Sequence, residues 1–158
     1  MDKTEFLKLI EEHQGIIHKI SRVYREVAED REDLFQEIVF QLWKSHQSFR
    51  YNAKVSTWIY RIALNTAIAT FRKKKSYIEY YSVLPDMHTE VQDENLIMRQ
   101  ELLFNALNQL DDVDKAFMTL YLEELSYKQI ADILGISENY VGVKLNRIKT
   151  KLQKLIKK

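Results

Sequence analysis

Hydrophobic residues recur at helical spacing through the first half of the chain and predict three helices. The first covers residues 6–27, with a bend expected at Gly15, and the second covers residues 30–43. Apolar positions three and four apart give each helix one stripe that must be buried. A polar loop over residues 45–56 separates the second helix from a third over residues 57–74. This half is therefore predicted to be a small helical bundle.

The helical periodicity fades over residues 82–95 and then returns. This stretch contains Pro85, the only proline of the chain, and we interpret it as a flexible linker. Four further helices are predicted after it, over residues 96–110, 113–122, 127–134 and 138–156. The predicted fold class is therefore all-α, with one small helical domain at 1–81 and another at 96–158.

The last two predicted helices carry the most specific local signals. Ser126 and Gln129 fit a capping box at the start of the first of them. Gly135 stands where that helix needs a left-handed residue to end, and Ser137 caps the next helix. Ala131 is small enough for a second helix to approach closely. The second helix has one apolar stripe, formed by Val141, Leu145, Ile148, Leu152 and Leu155. This pattern is typical of a helix-turn-helix that reads the DNA major groove, and the alternative is an ordinary helical hairpin.

Composition supports a helical protein and excludes several classes. The 158 residues include 3 Gly, 1 Pro and no Cys. Few helix breakers favour helices, and the lack of cysteine excludes a disulfide framework and a thiolate metal site. No apolar run approaches the roughly 20 residues that a membrane helix needs, and the charged N-terminus lacks the apolar core of a signal peptide. We therefore expect a cytoplasmic protein without membrane insertion.

The net charge of +1 conceals two basic runs. Residues 50–75 contain seven basic residues and no acidic one, and residues 127–158 contain eight basic and two acidic residues. The stretch between them, residues 76–126, has eleven acidic residues against two basic ones. A single charge run is usually a solvated face, but two runs that each lie on a motif indicate two sites on a polyanion.

The first basic run also contains aromatic residues, in the block STWIYRIALNTAIATFRKKK at residues 56–75. Aromatic faces stack on unpaired bases and cations follow the phosphates, which is the chemistry that single-stranded nucleic acid requires. The alternative is that Trp58 belongs to the core and that the lysines complement the helix dipole at its C-terminus. The polar residues and Tyr60 are less easily explained in that way.

Order, spacing and total length give these blocks a family resemblance. Together, DREDLFQEIVFQLWKSHQSF and STWIYRIALNTAIATFRKKK resemble region 2 of bacterial RNA polymerase sigma factors of the extracytoplasmic-function (ECF) type. The segment ALNQLDDVDKAFMTLYLEELSYKQIADILGISENYVGVKLNRIKTKL resembles their region 4. The resemblance covers nearly the whole chain. It implies a sigma factor that directs core RNA polymerase to promoters, recognises the minus-35 and minus-10 elements and melts the DNA.

The resemblance assigns two surfaces to region 2. The clamp helices of the largest catalytic polymerase subunit would bind Asp33, Leu34, Gln36, Glu37 and Phe40. The loop before Ser56 would hold a base flipped out of the minus-10 element, at a cost of a few kcal/mol of unstacking that the protein must offset. The minus-10 contacts implied are Lys54, Ser56, Trp58, Tyr60, Arg61, Asn65, Thr66, Arg72, Lys73 and Lys74.

Region 4, by the same resemblance, would read the minus-35 duplex and dock on the polymerase flap. The minus-35 contacts implied are Ser137, Glu138, Asn139, Tyr140, Lys144, Arg147 and Lys151. An anti-sigma factor is a further implied partner. The chain departs from the family at Gly142 and Val143, where polar or basic residues are common, and near Asp112 and Lys115, where many members have proline and arginine. Gly142 could permit a close approach of the backbone to DNA or simply be tolerated.

Two other functions remain open from the sequence. A stand-alone helix-turn-helix regulator would bind duplex DNA without polymerase, but the block at residues 56–75 argues against it. An enzyme would need a catalytic cluster, and His13 and His18 are poorly spaced for joint metal ligation. No HExxH, Walker or nucleophile motif occurs. We therefore predict no catalytic residue, no metal site and no cofactor.

Overall fold

The computed structural model describes residues 2–51, 53–78 and 94–156, with side chains described outside residues 71–78. Across these residues the regular elements are seven α-helices and one short 3₁₀ turn, His46–Ser48. The helices are α1 (Lys3–Tyr24), α2 (Ala28–Ser45), α3 (Val55–Ile78), α4 (Glu94–Asn108), α5 (Asp112–Leu122), α6 (Tyr127–Leu134) and α7 (Glu138–Ile156). The all-α prediction is confirmed. The chain forms two compact units, Met1–Leu84 (unit 1) and Pro85–Lys158 (unit 2).

The first helix of unit 1 begins at a reciprocal cap. The backbone N–H of Glu5 donates to Oδ1 of Asp2 at 2.8 Å, and the N–H of Asp2 donates to Oε2 of Glu5 at 3.3 Å. Each bond satisfies a donor that the helix leaves without an internal partner. The helix continues without interruption through Gly15, where a bend was expected, and ends at the extended residue Arg25.

The core of unit 1 lies where α1, α2 and α3 pack on one another. Its fully buried aliphatic side chains come from all three helices: Ile17, Ile20, Ile38, Leu42, Ile59 and Leu64. Burying one such side chain stabilises the fold by about 1.5–3 kcal/mol. The three helices therefore stabilise one another through a shared apolar centre.

A buried arginine connects the end of α1 to α3. Nη1 of Arg25 donates to the carbonyl of Tyr24 at 2.8 Å. Its Nη2 donates to the carbonyl of Ala67 at 3.3 Å and to Oγ1 of Thr70 at 2.7 Å. Because a buried charge is costly without partners, these bonds are what allow the guanidinium to lie in the interior.

Unit 2 is built around its last helix, α7, which packs against α4, α5 and α6. The buried positions of α7 are Val141, Leu145, Ile148 and Leu152, as its apolar stripe predicts. Leu155, the fifth residue of that stripe, is only half-buried. The predicted linker at 82–95 lies outside the described residues except for Glu94 and Asn95, and these two already belong to α4.

The turn between α6 and α7 has the predicted helix-turn-helix caps. Oγ of Ser126 accepts from the N–H of Gln129 at 3.1 Å, and Oε1 of Gln129 accepts from the N–H of Ser126 at 2.9 Å. Gly135 has φ 71° and ψ 38°, and its N–H donates to the carbonyl of Ala131 at 2.8 Å. Oγ of Ser137 accepts from the N–H of Tyr140 at 3.2 Å. Local hydrogen bonds therefore fix where α6 ends and α7 begins.

Candidate nucleic-acid interface

The exposed side of α3 contains only part of the predicted minus-10 set. Arg61 and Asn65 are exposed and lie four residues apart, so they share one face of the helix. Lys54, just before α3, is exposed, and Ser56, in the first turn of α3, is half-buried. These four residues form what we call the α3 polar face.

Three members of the minus-10 set are buried: Trp58, for which the core was the alternative, and Tyr60 and Thr66, for which contacts with the strand were predicted. The ring of Trp58 stacks on Phe49, with centroids 4.6 Å apart, and Tyr60 is only 5% exposed. Oγ1 of Thr66 donates to the carbonyl of Ile62 at 2.7 Å within the helix. Because α3 packs against both α1 and α2, its buried face is wider than one apolar stripe.

The last three members, Arg72, Lys73 and Lys74, lie on α3, but their side chains are outside the described residues. Their assignment as phosphate contacts stays a prediction from charge and from the family resemblance. The described face of α3 ends at Thr70, whose hydroxyl donates to the carbonyl of Thr66 at 2.7 Å.

One exposed aromatic residue near α3 was missed from the sequence. Tyr51 is 65% exposed and has φ 57°, a left-handed conformation that is uncommon for a residue with a side chain. Its ring centroid lies 4.7 Å from that of Phe49, which in turn stacks on Trp58. The sequence signal was a pair of aromatic residues, Phe49 and Tyr51, inside a largely polar loop. The three rings place an exposed aromatic surface next to the start of α3.

The predicted polymerase-binding residues of α2 line one depression on unit 1. This depression has a volume of about 440 Å³ and is lined by Arg25, Asp33, Leu34, Gln36, Glu37, Phe40 and Thr70. Phe40 exposes 55% of its surface, while Leu34, which also lines the depression, is only 3% exposed. A second depression of about 340 Å³ is lined by Glu37, Gln41, Asn65, Thr66, Ala69 and Thr70. The two depressions share Glu37 and Thr70, so the α2 residues lie beside the α3 polar face.

The predicted minus-35 residues lie along the outer side of α7. Glu138, Asn139, Tyr140 and Arg147 are exposed, and Ser137 is exposed while its hydroxyl caps the helix. The ring of Tyr140 also meets that of Phe117 edge to face, with centroids 6.3 Å apart. We call these five residues the α7 polar face.

The remaining two cations of the minus-35 set, Lys144 and Lys151, are ion-paired within unit 2. Nζ of Lys144 lies 3.3 Å from Oδ1 of Asp114, and Nζ of Lys151 lies 3.8 Å from Oδ2 of the same carboxylate. Asp114 belongs to α5, thirty residues before Lys144, and no local pattern indicated this contact.

Gly142 faces a neighbouring helix rather than open space. A Cβ atom at this position would lie 3.4 Å from Cε2 and 3.7 Å from Cδ2 of Tyr127, on α6. These distances are ordinary van der Waals contact, so a Cβ atom at position 142 would fit against the Tyr127 ring. Val143, the second departure from the family pattern, is exposed.

In the part of the chain that the structure describes, no three or more His, Cys, Asp or Glu side chains are grouped so that they could hold a metal ion. Among the described helices, none is long and apolar enough to cross a membrane.

Comparison with known proteins gives a family for both units. Residues 9–77 match Sigma-70 region 2, and residues 100–152 match Sigma-70 region 4. The ECF RNA polymerase sigma-E factor of Escherichia coli is 30% identical, over 99% of this chain and 91% of the relative. The chain belongs to the ECF sigma factors. It is therefore a sigma factor that directs core RNA polymerase to promoters and functions in transcription initiation.

Other relatives of this sigma factor also match nearly the whole of this chain. SigW of Bacillus subtilis is 28% identical over 99% of the chain and 91% of the relative. SigM of Mycobacterium tuberculosis is 27% identical over 98% of the chain and 79% of the relative. These relatives are sigma factors, which act as DNA-binding regulatory subunits rather than as enzymes.

Two solved structures share the fold of this sigma factor. CnrH, solved in complex with the cytosolic domain of CnrY, gives a TM-score of 0.73 at 18% identity, over 99% of this chain and 90% of that one. RpoE of Bartonella quintana, solved with the anti-sigma factor NepR, gives a TM-score of 0.67 at 19% identity, over 98% of this chain and 96% of that one.

Proposed function

We propose that this sigma factor divides promoter recognition between its two units. Unit 1 binds core polymerase through α2 and captures the opened minus-10 strand with the α3 polar face. Unit 2 reads the minus-35 duplex with the α7 polar face. The observation that carries this proposal is that Arg61 and Asn65 on α3, and the polar face of α7, are exposed on helices whose opposite sides form the core of their own unit. The proposed boundaries are 1–81 for region 2, 82–95 for the linker and 96–158 for region 4.

The polymerase contact is assigned to four surface residues of α2: Asp33, Gln36, Glu37 and Phe40. Exposed large apolar side chains on a polar surface mark interaction sites, and Phe40 is such a residue. The carboxylates of Asp33 and Glu37 give the surface around Phe40 a negative charge that suits a basic partner helix. Leu34 supports this surface from the core.

The minus-10 contact is assigned to the α3 polar face together with Tyr51. The amide of Asn65 can donate and accept hydrogen bonds with an unpaired base edge, and Arg61 can contact phosphate. Stacking of a base on an aromatic ring contributes about 1–3 kcal/mol, which supports adding Tyr51 to the site. Trp58, Tyr60 and Thr66 act beneath this surface, where they hold α3 in place.

The minus-35 contact is assigned to the α7 polar face. Arg and Asn are the side chains that most readily make paired hydrogen bonds to base edges in the major groove, and this supports base-reading roles for Arg147 and Asn139. Ser137 fixes the start of α7, so that the first turn presents Glu138, Asn139 and Tyr140 together. The positive charges of Lys144 and Lys151 attract the phosphate backbone of the duplex.

The partners and location follow from the family. We propose that unit 2 also docks on the polymerase flap. We propose further that an anti-sigma factor binds the free protein, because RpoE of Bartonella quintana was solved with the anti-sigma factor NepR. Core polymerase performs the chemistry, so the protein itself has no catalytic site. It acts in the cytoplasm, where polymerase and promoter DNA meet.

Reconstituted transcription tests this proposal. Promoters would first be selected from a random library with holoenzyme made from purified core polymerase and the full chain. We expect specific transcripts only when both components are present. Specific duplex binding by the chain alone, with no effect on core polymerase, would contradict the proposal and favour the stand-alone regulator.

A further inference from the structure

One carboxylate of unit 2 pairs with two cations of α7. Asp114, in the first turn of α5, is only 4% exposed. Its Oδ1 lies 3.3 Å from Nζ of Lys144 and its Oδ2 lies 3.8 Å from Nζ of Lys151. The two lysines are seven residues apart, which is about two helical turns. Both ammonium groups therefore reach a single carboxylate from one side of α7.

The position of Asp114 is fixed by its own helix. Its backbone N–H donates to Oδ1 of Asp111 at 2.8 Å, so the residue belongs to the N-terminal cap of α5. The N-terminus of a helix favours a negative charge, which stabilises a carboxylate there. Within the described residues Oδ1 accepts no hydrogen bond, although the Lys144 ammonium lies within ion-pair distance. The lysine side chains, 27% and 57% exposed, keep access to solvent.

We infer that Asp114 is a positioning residue that sets the specificity of duplex binding by withholding positive charge from the DNA backbone. The inference rests on the proposed contact between α7 and duplex DNA. With Asp114 in place, Lys144 and Lys151 together present one net positive charge instead of two. The sequence-independent part of DNA affinity grows with the number of phosphates that are neutralised, whereas base contacts carry the specificity. Asp114 therefore lowers binding to all sequences and leaves the discrimination to Arg147 and Asn139.

The direct test measures salt dependence with the full chain and a fluorescently labelled duplex of mixed sequence. Asp114→Asn keeps the shape of the side chain and removes its charge. We expect tighter binding at low salt and a log–log salt slope that is steeper by about 0.9, the value of one further phosphate contact. Glu101→Gln is the matched control, because Glu101 is exposed on α4 and changes the net charge equally. The control should leave the slope unchanged.

A second comparison does not depend on the folding of Asp114→Asn. Lys144→Gln should reduce the slope by about 0.9, and the double change Lys144→Gln/Lys151→Gln should reduce it by no more than this, because the pair supplies one net charge. Independent lysines would lose about twice as much in the double variant. A loss of that size in the double variant would overturn the inference about Asp114 but not the proposed α7 contact. An unchanged slope for an Asp114→Asn protein that is folded and binds duplex would have the same consequence. If neither the wild-type chain nor Asp114→Asn binds duplex even at low salt, the proposed α7 contact fails as well.

Discussion

At the residue scale, two tyrosines close to the start of α3 differ sharply in exposure. Tyr60 belongs to the core of unit 1, whereas Tyr51 presents its ring to solvent from a strained backbone position. A left-handed conformation at a residue with a side chain costs on the order of 1 kcal/mol or more and often marks a functional site. The exposed ring, rather than the buried one, is therefore the candidate for stacking on a flipped base.

Removing the exposed ring should impair promoter opening without harming the fold. We expect Tyr51→Ala to lower open-complex formation by about one to two decades, since stacking contributes about 1–3 kcal/mol per base. Potassium permanganate reactivity of minus-10 thymines measures opening, and Tyr51→Phe, which keeps the ring, is the control. Tyr60→Ala should instead lower the melting temperature of unit 1. Normal opening by Tyr51→Ala would remove this residue from the site.

Replacing Gly15 and Gly135 by alanine should change the stability of the two units in opposite directions. Gly15 lies inside α1 with nothing within 4 Å of an added Cβ, so Gly15→Ala should stabilise unit 1 by about 0.5–1 kcal/mol. Gly135 has φ +71°, so Gly135→Ala should destabilise unit 2 by about 1 kcal/mol. Thermal melts followed by circular dichroism would measure both changes. A stable Gly135→Ala variant would argue against the left-handed end of α6.

At the element scale, features caused by neighbouring residues could be predicted from the sequence, whereas features caused by distant contacts could not. The bounds of α6 and α7 follow from caps made by neighbouring residues, and both helices begin and end where the sequence predicts. The burial of Tyr60 and Thr66 could not be predicted, because it results from two helices packing on α3 at once. The pairing of Asp114 with α7 was equally inaccessible, since it joins residues that are distant in the sequence.

The cap at Ser126 should matter because α6 has only 8 residues. Short helices depend on their caps, and loss of a side-chain cap costs about 0.5–2 kcal/mol. We therefore expect Ser126→Ala to lower the denaturation midpoint of unit 2 and Ser126→Asp, which keeps a capping oxygen, to stay close to wild type. Urea unfolding curves would separate the two variants. Equal losses from both would show that the hydroxyl has some role other than capping.

At the scale of the whole molecule, the chain contains two units, each with its own apolar core. We expect residues 1–84 and 85–158 to fold when expressed separately, because each unit contains every helix that its core requires. Each fragment should give a helical circular dichroism spectrum and a cooperative melt. A fragment that is unfolded alone but folds when mixed with the other would contradict this independence.

In the proposed division of labour, the α3 polar face acts on opened DNA and the α7 polar face on duplex DNA. The deciding measurement is holoenzyme binding to two templates, an intact promoter and the same promoter with a pre-melted minus-10 element, with permanganate footprinting of the intact promoter to report its opening. Asn65→Ala and Arg147→Ala are compared, since both residues are exposed and each lies on one of the two faces.

We expect different patterns for the two variants. Asn65→Ala should lose minus-10 reactivity on the intact promoter, and pre-melting should restore part of its binding. Arg147→Ala should lose binding on both templates by the same factor, about one to two decades if one base contact of about 1–3 kcal/mol is removed. Equal loss on both templates by Asn65→Ala, or rescue of Arg147→Ala by pre-melting, would contradict the division of labour between the two units.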